Sequence, residues 1–200
     1  LNEMLSKKKN PALLPIQIAY YTGLRIGEAC SLTWQDIDLK KQRLTVRRSI
    51  RYNSVRHRTE IGTTKRKKIR SVDFCNTLAD ILKEAKKTQM LDRLDCGPLY
   101  SQHYYLSIEE KNRTYYEVYS LPVSEHPPEG YQAISLVCVR QDGRYESPAT
   151  VSNMCQTAKK RVDGMESFHF HQLRHTFTSN LLSYGAAPKD VQELLGHSDV

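Results

Sequence analysis

The chain has 200 residues, of which 39% are hydrophobic and 26% charged, a composition ordinary for a soluble globular protein of one domain. Lys and Arg outnumber Asp and Glu by 30 to 22, and the formal net charge of +8 favours a polyanionic partner, with nucleic acid ahead of an anionic membrane. No apolar run approaches the ~18 residues that cross a bilayer, and the five scattered cysteines indicate neither a disulfide framework nor a zinc site.

Two short helices are the first predicted elements. Asn10 and Pro11 are typical of a helix start, because the asparagine can cap the first turn and proline needs no amide partner there. The helical spacing is interrupted at Gly23. A second helix is predicted from about Arg25 to Trp34.

A change to two-residue alternation begins at Arg43. Leu44, Val46 and Ile50 alternate with basic and hydroxyl side chains, which predicts a strand with one strongly basic face. A second basic strand is predicted over Lys67–Val72, and the two strands are expected to pair in antiparallel fashion.

The middle of the chain combines one helix with a β-rich region. The spacing of apolar residues predicts an amphipathic helix over Thr77–Leu91. Beyond it, strands are predicted over Tyr115–Val123 and Tyr131–Val139, separated by the breaker-rich residues 126–130. Asp142 and Gly143 then predict a hairpin turn.

Three helices are predicted in the last part of the chain. The first begins at Ser147-Pro148, and the last begins at Pro188 and stops at Gly196. The helix between them has apolar residues three or four positions apart, which form its predicted buried stripe: Phe170, Leu173, Phe177 and Leu181. His171 and Arg174 share an adjacent face of that helix.

Three motifs occur in a fixed order along the chain: TGLRIGEACSLTW at residues 22–34, HQLRHTF at 171–177 and LLGHS at 194–198. They resemble the first box, the His-x-x-Arg box and the final-histidine element of the tyrosine recombinases, the phage-integrase family. The resemblance spans residues 11–200 apart from a poorly matched stretch near 101–145. It implies an α+β, mainly α fold with a small antiparallel sheet, the DNA breaking–rejoining catalytic domain. Residues 101–145 are expected to be a β-rich insertion of the kind seen in conjugative-transposon integrases.

The resemblance also implies a site that holds one DNA phosphate. Arg25 and Arg174 would clamp the scissile phosphate, since guanidinium groups match its non-bridging oxygens. His171 would assist proton transfer at the attacking oxygen, and His197 would donate a hydrogen bond to a phosphate oxygen. Taken singly, each of these residues has an ordinary structural explanation; the motif around it favours the functional one.

Two further residues are assigned with the same reasoning. Lys65 matches the family's β-turn lysine and would protonate the leaving 5′-oxygen, although it is crowded by basic neighbours and a solvated strand charge is the alternative. Glu28, one turn after Arg25, would brace the architecture of the site. His175, beside the second box, is expected to be structural.

No nucleophile is expected within this sequence. In the family the nucleophilic tyrosine follows the Gly-His element by a helical turn or more, and the sequence ends three residues after His197. Tyr184 precedes that element, in a predicted turn, and is not regarded as a substitute. Residues 1–200 are therefore expected to be a single catalytic domain without its nucleophile segment or the family's amino-terminal core-binding domain, able to bind DNA weakly and unable to cleave it.

The function implied is site-specific recombination of double-stranded DNA through a 3′-phosphotyrosine, with no metal and no cofactor. The intact protein is expected to act as a homo-tetramer on DNA, in the cytoplasm of a bacterial, phage or mobile-element host and away from membranes. A type IB topoisomerase and a catalytically silent, basic DNA-binding or regulatory domain are the alternatives. A metal-dependent nuclease is less favoured, because clustered carboxylates are missing from the sequence.

Overall fold

The computed structural model describes residues 10–54, 58–63, 69–110 and 113–196. Over these ranges the helices and the antiparallel strands lie in separate groups along the chain: two helices, five strands, one helix, three strands and three helices. This order agrees with the α+β fold predicted from the sequence. Among the described residues, no helix is both long and apolar enough to span a membrane.

The first two helices are separated by a left-handed glycine. Helix α1 covers Leu13–Thr22 and helix α2 covers Ile26–Cys30. Asn10 accepts a hydrogen bond from the backbone of Ala12, but the helix begins at Leu13, two residues later than the proline signal at Pro11 indicates. The predicted extension of the second helix to Trp34 is wrong, because the chain leaves α2 after Cys30 and forms a short 3₁₀ turn over Trp34–Asp36.

The basic alternation that begins at Arg43 belongs to two strands in two sheets. Strands β1 (Ile37–Asp38), β2 (Arg43–Val46) and β5 (Arg70–Asp73) form one sheet in the order β1-β2-β5. After β2 the chain leaves this sheet. Strand β3 (Arg48–Asn53) pairs with β4 (Arg58–Thr63) in a second sheet. The predicted antiparallel partnership of the two basic segments is confirmed for β2 and β5, where Leu44 lies opposite Val72.

The second sheet has five strands in the order β3-β4-β7-β6-β8. A long hairpin of β6 (Ser101–Glu110) and β7 (Arg113–Pro122) forms its centre, and β8 (Gln132–Ile134) closes one edge. The strand predicted over Tyr131–Val139 is therefore shorter than expected, and beyond it only isolated bridges continue the pairing. The turn at Gly143, with φ of 83°, is flanked by one of these bridges, between Val139 and Tyr145. That residues 101–145 are an insertion into a minimal domain stays a prediction.

Four helices complete the fold. Helix α3 (Asn76–Cys96) is longer than the sequence pattern predicted and ends at Gly97, which has a positive φ. Helix α4 (Pro148–Arg161) begins as predicted, with the Ser147 hydroxyl accepting from the backbone of Thr150. Helices α5 (Phe170–Ser183) and α6 (Pro188–Leu195) follow, and α6 ends at Gly196.

The hydrophobic core lies between the helices and the inner faces of both sheets. It includes Ile18 and Leu24 near α1, Leu44 on β2, Ile50 on β3 and Leu78 on α3, each at most 2% exposed. Because both ends of the described chain contribute to this core through α1 and α5, burial brings the first and second sequence motifs together.

Candidate phosphate-binding site

Arg25 lies at the start of α2 with an extended backbone, φ −71° and ψ 153°. Its backbone nitrogen donates to Glu28 Oε2 at 2.9 Å, and its guanidinium Nη1 donates to Glu28 Oε1 at 3.2 Å. The first backbone N–H groups of a helix have no acceptor within the helix, and a carboxylate near the helix start can accept a hydrogen bond from one of them. The Arg25 side chain is 38% exposed, so its guanidinium is oriented by Glu28 and still open to a ligand.

Two glycines of the first motif allow its close packing. Gly23 has φ of +66°, and a Cβ there would come within 2.5 Å of Phe177 Cδ1 and 2.8 Å of Leu195 Cδ2. A Cβ on Gly27 would lie 2.6 Å from the backbone oxygen of Ile50. The motif therefore contacts α5 and α6 on one side and strand β3 on the other, which fixes the position of Arg25 between them.

Glu28 is 3% exposed and receives charge-assisted hydrogen bonds from two arginines. Burial alone would raise the pKa of its carboxyl, but Arg70 and Arg25 outweigh that effect and hold the pKa below its ordinary value of 4.5. Glu28 is thus an ionised, buried anchor. The structure shows Glu28 beside Arg25, as the sequence predicts. That Glu28 supports the catalytic site stays a prediction.

The second arginine on Glu28 is Arg70 of strand β5, for which the sequence pattern predicts only a place in a basic strand. Its Nη1 and Nη2 donate to the two carboxylate oxygens of Glu28 at 3.1 and 2.7 Å, and its Nε donates to the backbone oxygen of Leu194 at 2.9 Å. One signal in the sequence could have identified it. Arg70 has the same strand parity as the buried Val72, and a charged residue on the inward face of a strand needs a partner.

Arg174 lies at the base of the site. Its Nη1 donates to the backbone oxygen of Gly23 at 2.8 Å and its Nη2 to that of Leu195 at 2.7 Å, and the residue is 3% exposed. Burial, followed by the nearby positive charge of Arg25, lowers the pKa of Arg174 to about 10. The side chain is therefore still protonated at neutral pH, and the two bonds use two of its five N–H donors.

His171 lies one helical turn before Arg174 on α5, with its side chain exposed. Partial desolvation of the ring lowers its pKa below 6.5, and the charges of His175, Arg174 and Arg25 lower it further. The rings of His171 and His175 meet edge to face with 4.7 Å between their centroids. A neutral imidazole beside two arginines is suited to accept a proton or to bind an anion.

The described residues bring four of the six predicted site residues together: Arg25, Glu28, His171 and Arg174. Lys65 and His197 lie outside the described residues. Among the described residues, the charges that act on Arg174 are those of Arg25, Arg70 and Glu28. With Arg174 itself, three positive charges in the described part of the site face one negative charge. An anion would offset the excess, and a phosphate offers acceptor oxygens that match guanidinium donors. Within the described ranges, no three His, Cys, Asp or Glu side chains converge as ligands for a metal ion.

Solved structures of tyrosine recombinases and integrases have this fold. The integrase of transposon Tn1549, in complex with transposon right end DNA, superposes with a TM-score of 0.69 at 19% identity, over 98% of this chain and 54% of that chain. The XerA recombinase superposes with a TM-score of 0.61 at 20% identity, over 98% of this chain and 51% of that one. The fold is therefore that of a tyrosine recombinase catalytic domain.

Sequence comparison agrees with the fold. Residues 1–200 match the profile of the phage integrase family, and the chain belongs to that family. It is 31% identical over 194 residues to a tyrosine recombinase XerC-like protein of Caldanaerobacter subterraneus subsp. tengcongensis, covering 92% of this chain and 41% of that protein. It is 28% identical over 185 residues to the putative defective protein IntQ of Escherichia coli, covering 91% and 41%. The chain spans less than half the length of these curated relatives.

Proposed function

We propose that the protein breaks and rejoins DNA strands at specific sites through a covalent 3′-phosphotyrosine. The observation that carries this proposal is that Arg25 and Arg174, which come from two distant motifs, lie close together in a positively charged site beside His171. Family membership and the net charge of +8 also support it. The chain's share of the catalytic work would be to bind and polarise one DNA phosphate and to move protons at the attacking and leaving oxygens.

Each side chain has a distinct part in the proposed reaction. Arg25 and Arg174 bind non-bridging oxygens of the scissile phosphate, where charge grows as the phosphorus becomes five-coordinate. His171 accepts the proton of the attacking tyrosine, for which its lowered pKa suits it near neutral pH. In the roles predicted for them from the sequence, Lys65 gives a proton to the leaving 5′-oxygen and His197 donates a hydrogen bond to the phosphate.

The covalent step conserves the energy of the phosphodiester. The tyrosine oxygen forms a bond to phosphorus as the bond to the 5′-oxygen breaks, which leaves a 3′-phosphotyrosine and a free 5′-hydroxyl. In the second step the 5′-hydroxyl of a partner strand attacks the same phosphorus and releases the tyrosine. The two steps together consume no nucleotide.

The proposed partners are a double-stranded recombination site and further copies of the same protein. Four copies would be needed to exchange two duplexes, each copy acting on one strand. On this proposal the protein works in the cytoplasm of a bacterial host, where a mobile element or phage genome meets the chromosome.

Trapping a covalent adduct tests the proposal. The full-length product of the gene would be incubated with a library of nicked suicide duplexes that carry a randomised central sequence, in the presence of a metal chelator. We expect a covalent protein–DNA adduct that Arg25→Ala abolishes. Tyr184→Phe is the control, because this tyrosine is 90% exposed at the end of α5 and should leave the adduct intact.

The adduct assay and a second assay with supercoiled plasmid separate the alternatives. Absence of an adduct at every salt concentration, with DNA binding preserved, would identify a catalytically silent DNA-binding domain. Relaxation of supercoiled plasmid without any exchange of strands between duplexes would identify a type IB topoisomerase.

A further inference from the structure

We infer that Arg70 is a positioning residue of this site, which sets the geometry of Arg25 and of the end of α6 without touching the phosphate. The inference rests on the proposed function, because it assigns a role in phosphate binding to a residue outside all three motifs. Its basis is the set of contacts that one buried guanidinium makes with two separate parts of the chain.

Arg70 connects the carboxylate of the first motif to the backbone of the third. Two of its nitrogens bind Glu28 in a bidentate arrangement, and the third binds the carbonyl oxygen of Leu194, in the last turn of α6. Such forked contacts fix both the distance and the plane of the carboxylate. Since Glu28 in turn holds both the backbone and the guanidinium of Arg25, the orientation of Arg25 depends on Arg70.

The end of α6 is fixed from two sides. Arg70 holds the carbonyl oxygen of Leu194, and Arg174 holds that of Leu195. Gly196, which ends the helix, packs over the Arg70 side chain, and a Cβ there would lie 3.5 Å from Arg70 Cδ and Nη1. Arg70 therefore also fixes the position of Gly196, which directly precedes His197, a residue predicted to belong to the site.

Arg70 is unsuited to be a phosphate ligand itself. Its side chain is 8% exposed, against 38% for Arg25, and each of its three nitrogens already donates to an acceptor. A phosphate that displaced Glu28 from Arg70 would leave a buried carboxylate without its main partner, which is strongly unfavourable. The residue therefore acts through Glu28 and Leu194.

The same two-stranded ladder offers a matched control. On β2 and β5, Val46 lies opposite Arg70, and three residues along the ladder Arg43 lies opposite Asp73. Arg43 also makes a two-nitrogen contact with a carboxylate, but that pair is exposed, with 53% and 66% of the side chains accessible. A comparison of Arg70 with Arg43 separates a role in the site from a general contribution to the sheet.

The test measures phosphate binding by the 200-residue chain itself. Inorganic phosphate would be titrated into native, Arg70→Lys, Arg70→Met and Arg43→Met chains, with the arginine side-chain N–H signals followed by NMR and the pKa of Glu28 followed through its carboxyl carbon. We expect phosphate affinity to fall about tenfold in both Arg70 variants, the factor that one charge-assisted hydrogen bond carries. The pKa of Glu28 should rise in Arg70→Met. Arg43→Met should match the native chain.

Each outcome decides a different question. Native affinity in a folded Arg70→Lys chain would overturn the inference and leave the proposed function standing, and so would an equal loss in Arg43→Met. A native chain in which phosphate moves neither the Arg25 nor the Arg174 signal would overturn the proposed function and the inference with it. If Arg70→Met fails to fold, Arg70→Lys carries the test, since a single ammonium cannot reproduce all three contacts.

Discussion

The guanidinium of Arg174 donates to the carbonyl oxygen of Gly23 at 2.8 Å, across 151 residues of sequence. Gly23 is the left-handed residue that ends α1 and lies two positions before Arg25. The hydrogen bond therefore joins the first motif to the second directly. It also gives Arg174 a structural role in addition to the phosphate contact proposed for it.

This double role predicts different consequences for the two arginines. Arg174→Ala should lower the free energy of unfolding by about 3 kcal/mol, because two buried carbonyl groups lose their donor and a cavity forms. Arg25→Ala should leave stability nearly unchanged and weaken phosphate binding by about 1.5–3 kcal/mol, since its guanidinium is partly exposed. Urea unfolding and phosphate titration measure the two effects. Native stability in Arg174→Ala would contradict the burial and bonding described for this residue.

Glu28 should make the stability of the protein depend on acid pH. Its folded pKa lies below 4.5, so its stabilising effect is fully present above pH 4.5 and is lost as the pH falls through the folded value. Glu28→Gln should cost about 3 kcal/mol at pH 7, because it leaves buried Arg70 without its counter-charge. The variant should also lose most of this acid dependence in urea unfolding.

Asp73→Asn is the control for the Glu28 variant. Asp73 also has a pKa below its ordinary value, through its bond to Arg43, but its side chain is 66% exposed and solvent screens the pair. We expect a much smaller loss of stability than for Glu28→Gln. Equal losses in the two variants would show that burial of Glu28 contributes nothing.

His171 should titrate below pH 6.5 in the free chain. Its folded pKa is depressed, so its contribution to stability is present above pH 6.5 and falls away as the pH drops through the folded value. Bound phosphate should raise this pKa, because an anion favours the imidazolium, and Arg25→Ala should raise it by removing a positive charge. NMR of the ring protons measures both shifts. Arg144→Ala, whose charge does not act on His171, should leave the pKa unchanged; a similar rise there would refute the explanation.

Gly23 should be intolerant of any side chain. Gly23→Ala would place an L-residue at φ +66° and drive its Cβ against Phe177 and Leu195. Gly185→Ala has a comparable φ of +87° with no atom of the described chain within 4 Å of the added Cβ. The control should lose about 1–2 kcal/mol from backbone strain, and Gly23→Ala about 1–3 kcal/mol more from overpacking. Equal losses in urea unfolding would show that the contact of α1 with α5 and α6 is not tight.

Much of the local structure could be predicted from the sequence. The start of α4 at Ser147-Pro148 and the end of α6 at Gly196 depend on capping side chains and on a positive φ, which are properties of a few consecutive residues. The alternation from Arg43 predicted β-structure correctly but not its division between two sheets, because the side-chain period of a strand is the same whichever partner it has.

The sequence by itself determined the chain's family, its mixed fold and the motif residues Arg25, Glu28, His171 and Arg174, because these lie in short runs whose spacing carries the resemblance. Only the tertiary structure decided which partners those residues have. Arg70 reaches Glu28 across 42 residues and Leu194 across 124, and no local pattern encodes such a distance. These contacts follow from burial of the shared core, which brings distant charges into a space with little water, where each must find a counter-charge or a carbonyl oxygen.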